Sequence, residues 1–535
     1  MQNTELVCVG TAPSETESGE ANASGLQVIV LGPTGGPRED RVTGLLVRST
    51  STEWSSNSVV AVDAGTLLCG IIDTLEPCDN YQELSTHGPF AGLHLPHNNA
   101  SANATHFFRH IIGAVLITHP HLDHLSAFAI NTPVLEAGSG AKALAALPSV
   151  VAAIKTHVFN DVIWPNLSDE DGGAGLVTYQ RLVEGGNPMM GRGDEKGYTR
   201  VCEGLLAMCI GVSHGHCKQR FVAEGEIQRR MSSVTYGGYP HTFDEQAGTG
   251  QAMHLASSRS QNCKLIGTRV VSPEISPGLR VPGKEGWATV ESSAFFIRDP
   301  ATKKEVIIFG DVEPDSISFD PRNSRVWEAA APKVVASQLR AIFIECSYND
   351  DVEDASLYGH LCPRHLIDEL IEFAERVTEL KHPELSLVKK SKRASAPEVP
   401  AEPVLSPRSK KAALVGEKGD HRRGSARIRR RHTRARLVLE DTPEDAERKN
   451  PSISHAPEDV GIDLALAESS DPLTTLEWPE PPLAGLLVYI IHIKENMTDG
   501  PPAGERILQE LQAQGEAAGL GCEFHIPVRG ESVFV

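Results

Sequence analysis

The sequence predicts an α/β protein whose single catalytic domain is interrupted by a long insertion. Three observations carry this. Apolar runs of strand length recur along the chain, bounded by Gly, Pro, Asn or Asp. Segments with helical spacing lie between several of them. From Leu387 to Pro482 the chain is rich in Lys, Arg, Ser and Pro and poor in large apolar groups, yet a buried-strand pattern resumes after it. The domain plan is therefore a disordered tail over 1–24, a first catalytic part over 25–386, a disordered basic insertion over 387–482, and a closing catalytic part over 483–535.

The elements follow in order. Leu26–Leu31 and Thr43–Val47 read as strands around the turn Gly32-Pro33-Thr34-Gly35-Gly36. No Lys-Ser/Thr follows that turn, so it reads as a hairpin or a long loop beside the active site and not as a phosphate loop. Ser58–Ala64 is a third strand and Ile111–Ile117 a fourth. Val134–Ala153 has helical spacing. Val201–Val212 is read as one strand, and His216 to about Val290 as long loops. Ser293–Arg298 and Glu305–Phe309 flank a turn at Asp299-Pro300, and Ala341–Ile344 follows. His365–Glu379 is an amphipathic helix, Leu483–Lys494 a strand, Arg506–Ala518 a helix and Glu523–Ile526 a last short strand.

Composition narrows the function. The 535 residues carry a formal charge of −20 and a pI near 5.5, a field that repels nucleic-acid phosphates. Apolar residues make up 40% of the chain, enough for a sizeable core. Ten cysteines are scattered without C-x-x-C pairs, as expected for reduced thiols in the cytoplasm and not for a disulfide framework. The acidic N-terminus lacks the basic and apolar regions of a secretory signal. No apolar run reaches the ~20 residues of a membrane span.

The chemistry is concentrated at His119-Pro120-His121-Leu122-Asp123-His124, directly after the fourth strand. Three imidazoles and a carboxylate presented from a turn suit zinc or a similar divalent ion. Two alternate histidines can share one ion while the Asp and last His reach a neighbour, the pattern of a two-metal hydrolytic centre. The remaining ligands are sought where the first ones sit, at strand ends. His214 follows Leu205–Val212, Asp311 follows Val306–Phe309, and His492 follows Leu486–Ile491. One ion is assigned His119, His121 and His214, the other Asp123, His124 and His492, with Asp311 bridging. A hydroxide held between ions ~3.5–4 Å apart would be aimed at phosphorus or a carbonyl carbon. Taken singly, each strand-end residue could instead be a hydrogen-bonded group at the core edge. Their shared placement favours ligation.

These residues resemble the metallo-β-lactamase superfamily. More narrowly, His119 to Pro133 is similar to the class II cyclic nucleotide phosphodiesterases, with Ala127 where Gly is usual and Thr132 where Ser is usual. Ser213-His214-Gly215, Ser292 to Phe296, Phe309 to Glu313, Gly359-His360-Leu361 and His492-Ile493-Lys494 follow in the family order. The resemblance implies a four-layer αββα sandwich and hydrolysis of 3′,5′-cyclic AMP, with cyclic GMP as a second substrate, by two Zn2+ ions. It makes Asp123, Asp311 and His360 the catalytic candidates. His360 is either the general acid or phosphate clamp, or a histidine that steadies a metal-bound carboxylate. Asp63 is expected to support a ligand from behind. The competing reading within the superfamily is an RNA-processing phosphodiesterase of the tRNA 3′-nuclease kind. A degenerate, non-enzymatic binding protein is the third.

In the insertion, Lys389 to Arg393, Arg422-Arg423 and Arg427 to Arg436 form basic runs that read as a solvated spacer, a polyanion-binding segment or a nuclear-targeting one. Arg422-Arg423-Gly424-Ser425 fits the pattern favoured by cyclic-AMP-dependent kinase, whose phosphate would change the local charge. The expected partners are a small cyclic nucleotide, that kinase at Ser425 and a second copy of the chain, with neither membrane nor nucleic acid.

Overall fold

The computed structural model describes residues 25–76, 88–138, 140–220, 285–384 and 478–535. The tail at 1–24, Ser425 and nearly all of the 387–482 insertion lie outside the described residues, as does most of the stretch read as loops after His216.

Two seven-stranded sheets form the centre. The first contains β1 (Leu26–Gly32), β2 (Gly44–Ser49), β3 (Val59–Val62), β4 (Ile112–Leu116), β5 (Lys142–Ala146), β6 (Val177–Arg181) and β14 (Ser532–Phe534). Its order is β14-β1-β2-β3-β4-β5-β6, with β3 to β6 parallel. The second contains β7 (Thr199–Cys202), β8 (Leu205–Arg220), β9 (Glu285–Arg298), β10 (Glu305–Phe309), β11 (Leu339–Glu345), β12 (Leu487–Ile491) and β13 (Glu523–His525). Its order is β13-β12-β11-β10-β9-β8-β7, with β10 to β13 parallel.

The layers follow from the side-chain period of two in a strand. Phe295, Ile297, Val306, Ile308, Ala341, Phe343, Tyr489 and Ile491 join a core with the first sheet. Their neighbours Ala294, Phe296, Ile307, Phe309, Ile342, Ile344, Val488 and Ile490 face the opposite way. They pack with Trp327 of α5 (Asn323–Val335), Phe373 of α6 (Pro363–Lys381) and Leu511 of α7 (Ala503–Ala517). The first sheet is covered by α1 (Leu68–Leu75), α3 (Leu122–Asn131) and α4 (Pro148–His157), with α2 (Ala100–His106) against α1. This is the αββα sandwich that the resemblance implies. Trp327 is fully buried and stacks on Phe373 at a centroid distance of 5.1 Å. Truncating such a residue to Ala costs about 3–5 kcal/mol.

The structure corrects four element readings. Val134–Ala153 is not one helix. Lys142–Ala146 is strand β5 and Pro148 opens α4, because Pro sits well in a first helical turn and blocks continuation from before it. Val201–Val212 is a hairpin of β7 and β8, turned at Gly204 with φ of 75°. Between His216 and Val290, β8 runs on to Arg220 and β9 starts at Glu285. These arms carry too few apolar residues for the alternation to show. Within Leu483–Lys494 only Leu487–Ile491 is strand, since His492 leaves it with φ of 58°.

Candidate metal centre

The parallel strands of both sheets end at one edge, and their following residues meet there. In open α/β sheets such carboxyl ends are where ligands bind. β3 delivers Asp63, β4 delivers Thr118 and His119, β10 delivers Asp311, β11 ends in Glu345, and β12 delivers His492. His121 is the residue before α3, and Asp123 and His124 lie in its first turn, where an acidic group is favoured by the helix dipole. His214 does not follow its strand as expected. It sits inside β8, where a register shift between Ser213 and His216 bends the chain.

Asp311 is the centre of the cluster. Its carboxylate lies 3.6 Å from His119 Nε2, 3.1 Å from His124 Nε2, 3.5 Å from His214 Nε2 and 3.2 Å from His492 Nε2. Two overlapping groups have ligand atoms close enough to hold an ion: His119, His121, His214 and Asp311, and Asp123, His124, Asp311 and His492. The structure brings all seven residues singled out as ligands together at this edge.

The other ring nitrogens orient these groups. His124 Nδ1 donates to Asp63 Oδ2 at 2.7 Å, and His214 Nδ1 donates to the Gly359 carbonyl at 2.8 Å. His492 Nδ1 pairs with Thr43 Oγ1 at 2.8 Å, and His119 Nδ1 with Thr118 Oγ1 at 3.1 Å. Thr118 Oγ1 itself donates to Asp63, and its backbone N–H does so too. Hydrogen bonds at Nδ1 assign the protons there and leave Nε2 lone pairs aimed inward. Close packing enforces the aim, for a Cβ on Gly35 would lie 2.7 Å from the His492 ring.

The electrostatics match this assignment at His119, His121, His214 and His492 but not at His124. Burial, then the neighbouring imidazoles, hold His119 well below its ordinary value, and burial lowers His214 and His492. His121 is pushed down to about 4, chiefly by burial. Burial alone would raise Asp311, yet His124, His492 and His119 hold it well below the carboxylate range. His124 goes the other way: burial opposes its charge, but Asp311 and Asp63 on either side outweigh it. Neutral imidazoles and ionised carboxylates are the forms that bind metal. The fit is also visible in what is left unpaired. His119 Nε2, His124 Nε2 and Asp311 Oδ1 are buried with no hydrogen-bond partner among the described residues, which costs free energy unless a cation satisfies them. The donor set suits divalent metal ions.

Beside the cluster, His360 donates from Nδ1 to Glu345 at 2.9 Å and lies 3.9 Å from Asp311. Its ring sits 4.8 Å from that of His214 and 5.3 Å from that of His492. Burial opposes its charge, but Glu345 and Asp311 raise it overall. Glu345, the last residue of β11, is a site residue that the sequence alone does not mark. Lys494 closes the run His492-Ile493-Lys494. Its Nζ lies 3.0 Å from His492 Nε2, 3.5 Å from Asp123, and donates to the Gly35 carbonyl at 2.8 Å. The turn at Gly32–Gly36 does join a hairpin, β1 with β2, and lies beside the cluster.

An edge-mounted set of five imidazoles and two carboxylates is of the kind that metal-dependent hydrolases use to hold divalent ions. Comparison with known proteins narrows the class. The family model of the class-II cAMP phosphodiesterases matches residues 28–183 and 270–392, more than half of the chain. The chain belongs to that family. It is 25% identical over 344 residues to the 3′,5′-cyclic-nucleotide phosphodiesterase of Schizosaccharomyces pombe, covering 64% of this chain and 72% of that protein. It is 23% identical over 398 residues to the Candida albicans 3′,5′-cyclic-nucleotide phosphodiesterase, covering 66% and 83%. The crystal structure of unliganded yeast PDE1 superposes with a TM-score of 0.54 and 19% identity, covering 96% of this chain and all of that one, a likeness of fold.

Proposed function

We propose that this chain hydrolyses 3′,5′-cyclic AMP, and cyclic GMP as well, to the 5′-monophosphate, and so tunes cyclic-nucleotide signalling. The single observation that carries the reading is the convergence of four Nε2 atoms on the buried Asp311 carboxylate, at 3.1 to 3.6 Å. His119, His121 and His214 would hold one Zn2+ and Asp123, His124 and His492 the other, with Asp311 shared. When bound, two such ions lower the pKa of a water and neutralise phosphate charge.

The chain's own residues do the rest. Water oxygen adds to phosphorus and the bond from phosphorus to the 3′-oxygen breaks, so that oxygen must take up a proton. His360, held by Glu345 through Nδ1, keeps its Nε2 for that proton, and the Glu345 charge favours the protonated ring. Asp63 and Thr118 hold the His119 to His124 turn in place. The family assignment favours the cyclic nucleotide over RNA.

A cytoplasmic location, pairing with a second copy and phosphorylation of Ser425 by cyclic-AMP-dependent kinase belong to the same proposal. No helix among the described residues is long and apolar enough to cross a membrane. Phosphorus NMR of cyclic AMP incubated with zinc-loaded protein tests the reading. Conversion to 5′-AMP is expected, and accumulation of 3′-AMP or unchanged cyclic AMP contradicts it.

A further inference from the structure

A cavity of about 670 Å³ lies beside the metal centre and shares no lining residue with its two ligand groups. It is walled by the β1–β2 loop, the segment after β12 with the start of α7, and the loop between β13 and β14. Three arginines line it, Arg38, Arg41 and Arg529, and each faces an acidic neighbour without spending all its donors. Arg38 is paired with Asp40 at 2.6 Å, Arg41 reaches Glu495 only at 3.7 Å, and Arg529 is paired with Asp73. Arg41 Nε and Arg529 Nη2 are buried without a hydrogen-bond partner among the described residues. A guanidinium carries five N–H donors in a fork that matches phosphate oxygens.

A second feature has the same polarity. The fifteen-residue α7 has no side-chain cap at its N-terminus, and Ala503 and Gly504 of its first turn lie on the cavity wall. The unpaired N–H groups of a helix start favour an anion. The remaining wall is mixed: Ile493, Ile526 and Val528 give it an apolar part, beside Glu495, Asn496 and Thr498. A phosphate alone would leave the apolar part unused, whereas a phosphate joined to a flat organic group would cover it.

We infer that this cavity is a second binding site, separate from the metal centre, for a phosphorylated organic anion of nucleotide size. The phosphate lies against Arg41, Arg529 and the start of α7, and the organic group against the apolar part of the wall. Ile493 bridges to Thr34 and directly follows His492, so an occupant touches the seam that seats a candidate ligand. The inference stands on the cavity and holds whatever the metal centre hydrolyses.

Isothermal titration of metal-loaded protein with 5′-AMP, adenosine and inorganic phosphate tests it. 5′-AMP is expected to bind wild type, an Asp311→Asn variant and chelator-treated wild type alike. Binding should weaken at least about tenfold in Arg38→Gln/Arg41→Gln and in Ala503→Trp, which fills the cavity without changing charge. Adenosine and phosphate should each bind at least about tenfold more weakly than 5′-AMP. Binding that disappears with Asp311 or the metal, or that survives both cavity variants, would overturn a separate site. So would absence of 5′-AMP binding to wild type. Phosphate binding as tightly as 5′-AMP would overturn the nucleotide-sized ligand.

Discussion

His360 donates from Nδ1 to both carboxylate oxygens of Glu345, at 2.9 and 3.0 Å. Glu345 also accepts from the Val312 N–H at 2.7 Å and from Ser347 Oγ at 2.6 Å, so its position is fixed from three sides. A carboxylate held this way sets the tautomer and orientation of the imidazole it faces. Glu345→Gln should therefore lower kcat, by on the order of 10- to 100-fold, and His360→Ala by on the order of 100-fold or more. Metal content should stay near that of wild type in both. Steady-state kinetics paired with elemental analysis checks this, and loss of metal in either variant would move the pair to metal retention.

Asp63 supports the cluster from behind, through His124 Nδ1 and through Thr118. Asp63→Ala leaves buried donors without an acceptor and frees the His124 ring. Metal affinity should fall by on the order of 10- to 100-fold, measured by competition with a chromogenic chelator. An unchanged affinity would mean that packing alone aims His124.

Gly35 is a position where a single methyl group should matter. Its Cβ would lie 2.7 Å from His492 Cδ2, Nε2 and O, closer than such contacts allow. Gly35→Ala should displace His492 and weaken retention of one ion before the other. Titration of metal release against chelator concentration should then show two separated steps where wild type shows one.

Glu369 gives the fold a pH dependence away from the site. Burial pushes its carboxyl up to about 7, against hydrogen bonds from Trp327 Nε1, the Asp315 N–H and Asn323 Nδ2. The folded-state value lies above the usual 4.5, so the folded protein binds this proton more tightly than the unfolded chain does. Its stabilising contribution is full below pH 4.5 and is lost as pH rises through about 7. Against Glu369→Gln, wild-type stability should decline between pH 4.5 and 8 by up to about 3 kcal/mol. Urea denaturation of both proteins across that window measures the difference, and a constant gap would contradict the assignment.

The ligand set is legible because most of its members stand within a few residues of the end of an apolar strand. His492 directly follows β12, Asp311 comes two residues after β10 and His119 three after β4, whereas Asp123 and His124 lie in the first turn of α3 and are found through their closeness to His119. His214 is found by the same signal for an incomplete reason, since its strand continues through a bulge that leaves no mark in the composition. Glu345 is the last residue of β11 and carries no such signal, since its partner His360 is fifteen residues away and only the fold joins them. The Arg-lined cavity was illegible for a like reason: Arg38 and Arg529 sit at opposite ends of the chain. The α/β class and most strands could be read, but not β14 or α5. Three residues are too few for a period, and the polar start of α5 hides the face that buries Trp327.

The proposed mechanism requires Asp311 to be shared by two metal ions that act in hydrolysis. Metal content and cyclic AMP turnover, measured together for wild type and Asp311→Ala, test it most directly. Two ions per chain and 5′-AMP are expected from wild type, with the variant losing metal and turnover together. A variant that keeps both ions and still turns over at the wild-type rate would contradict it.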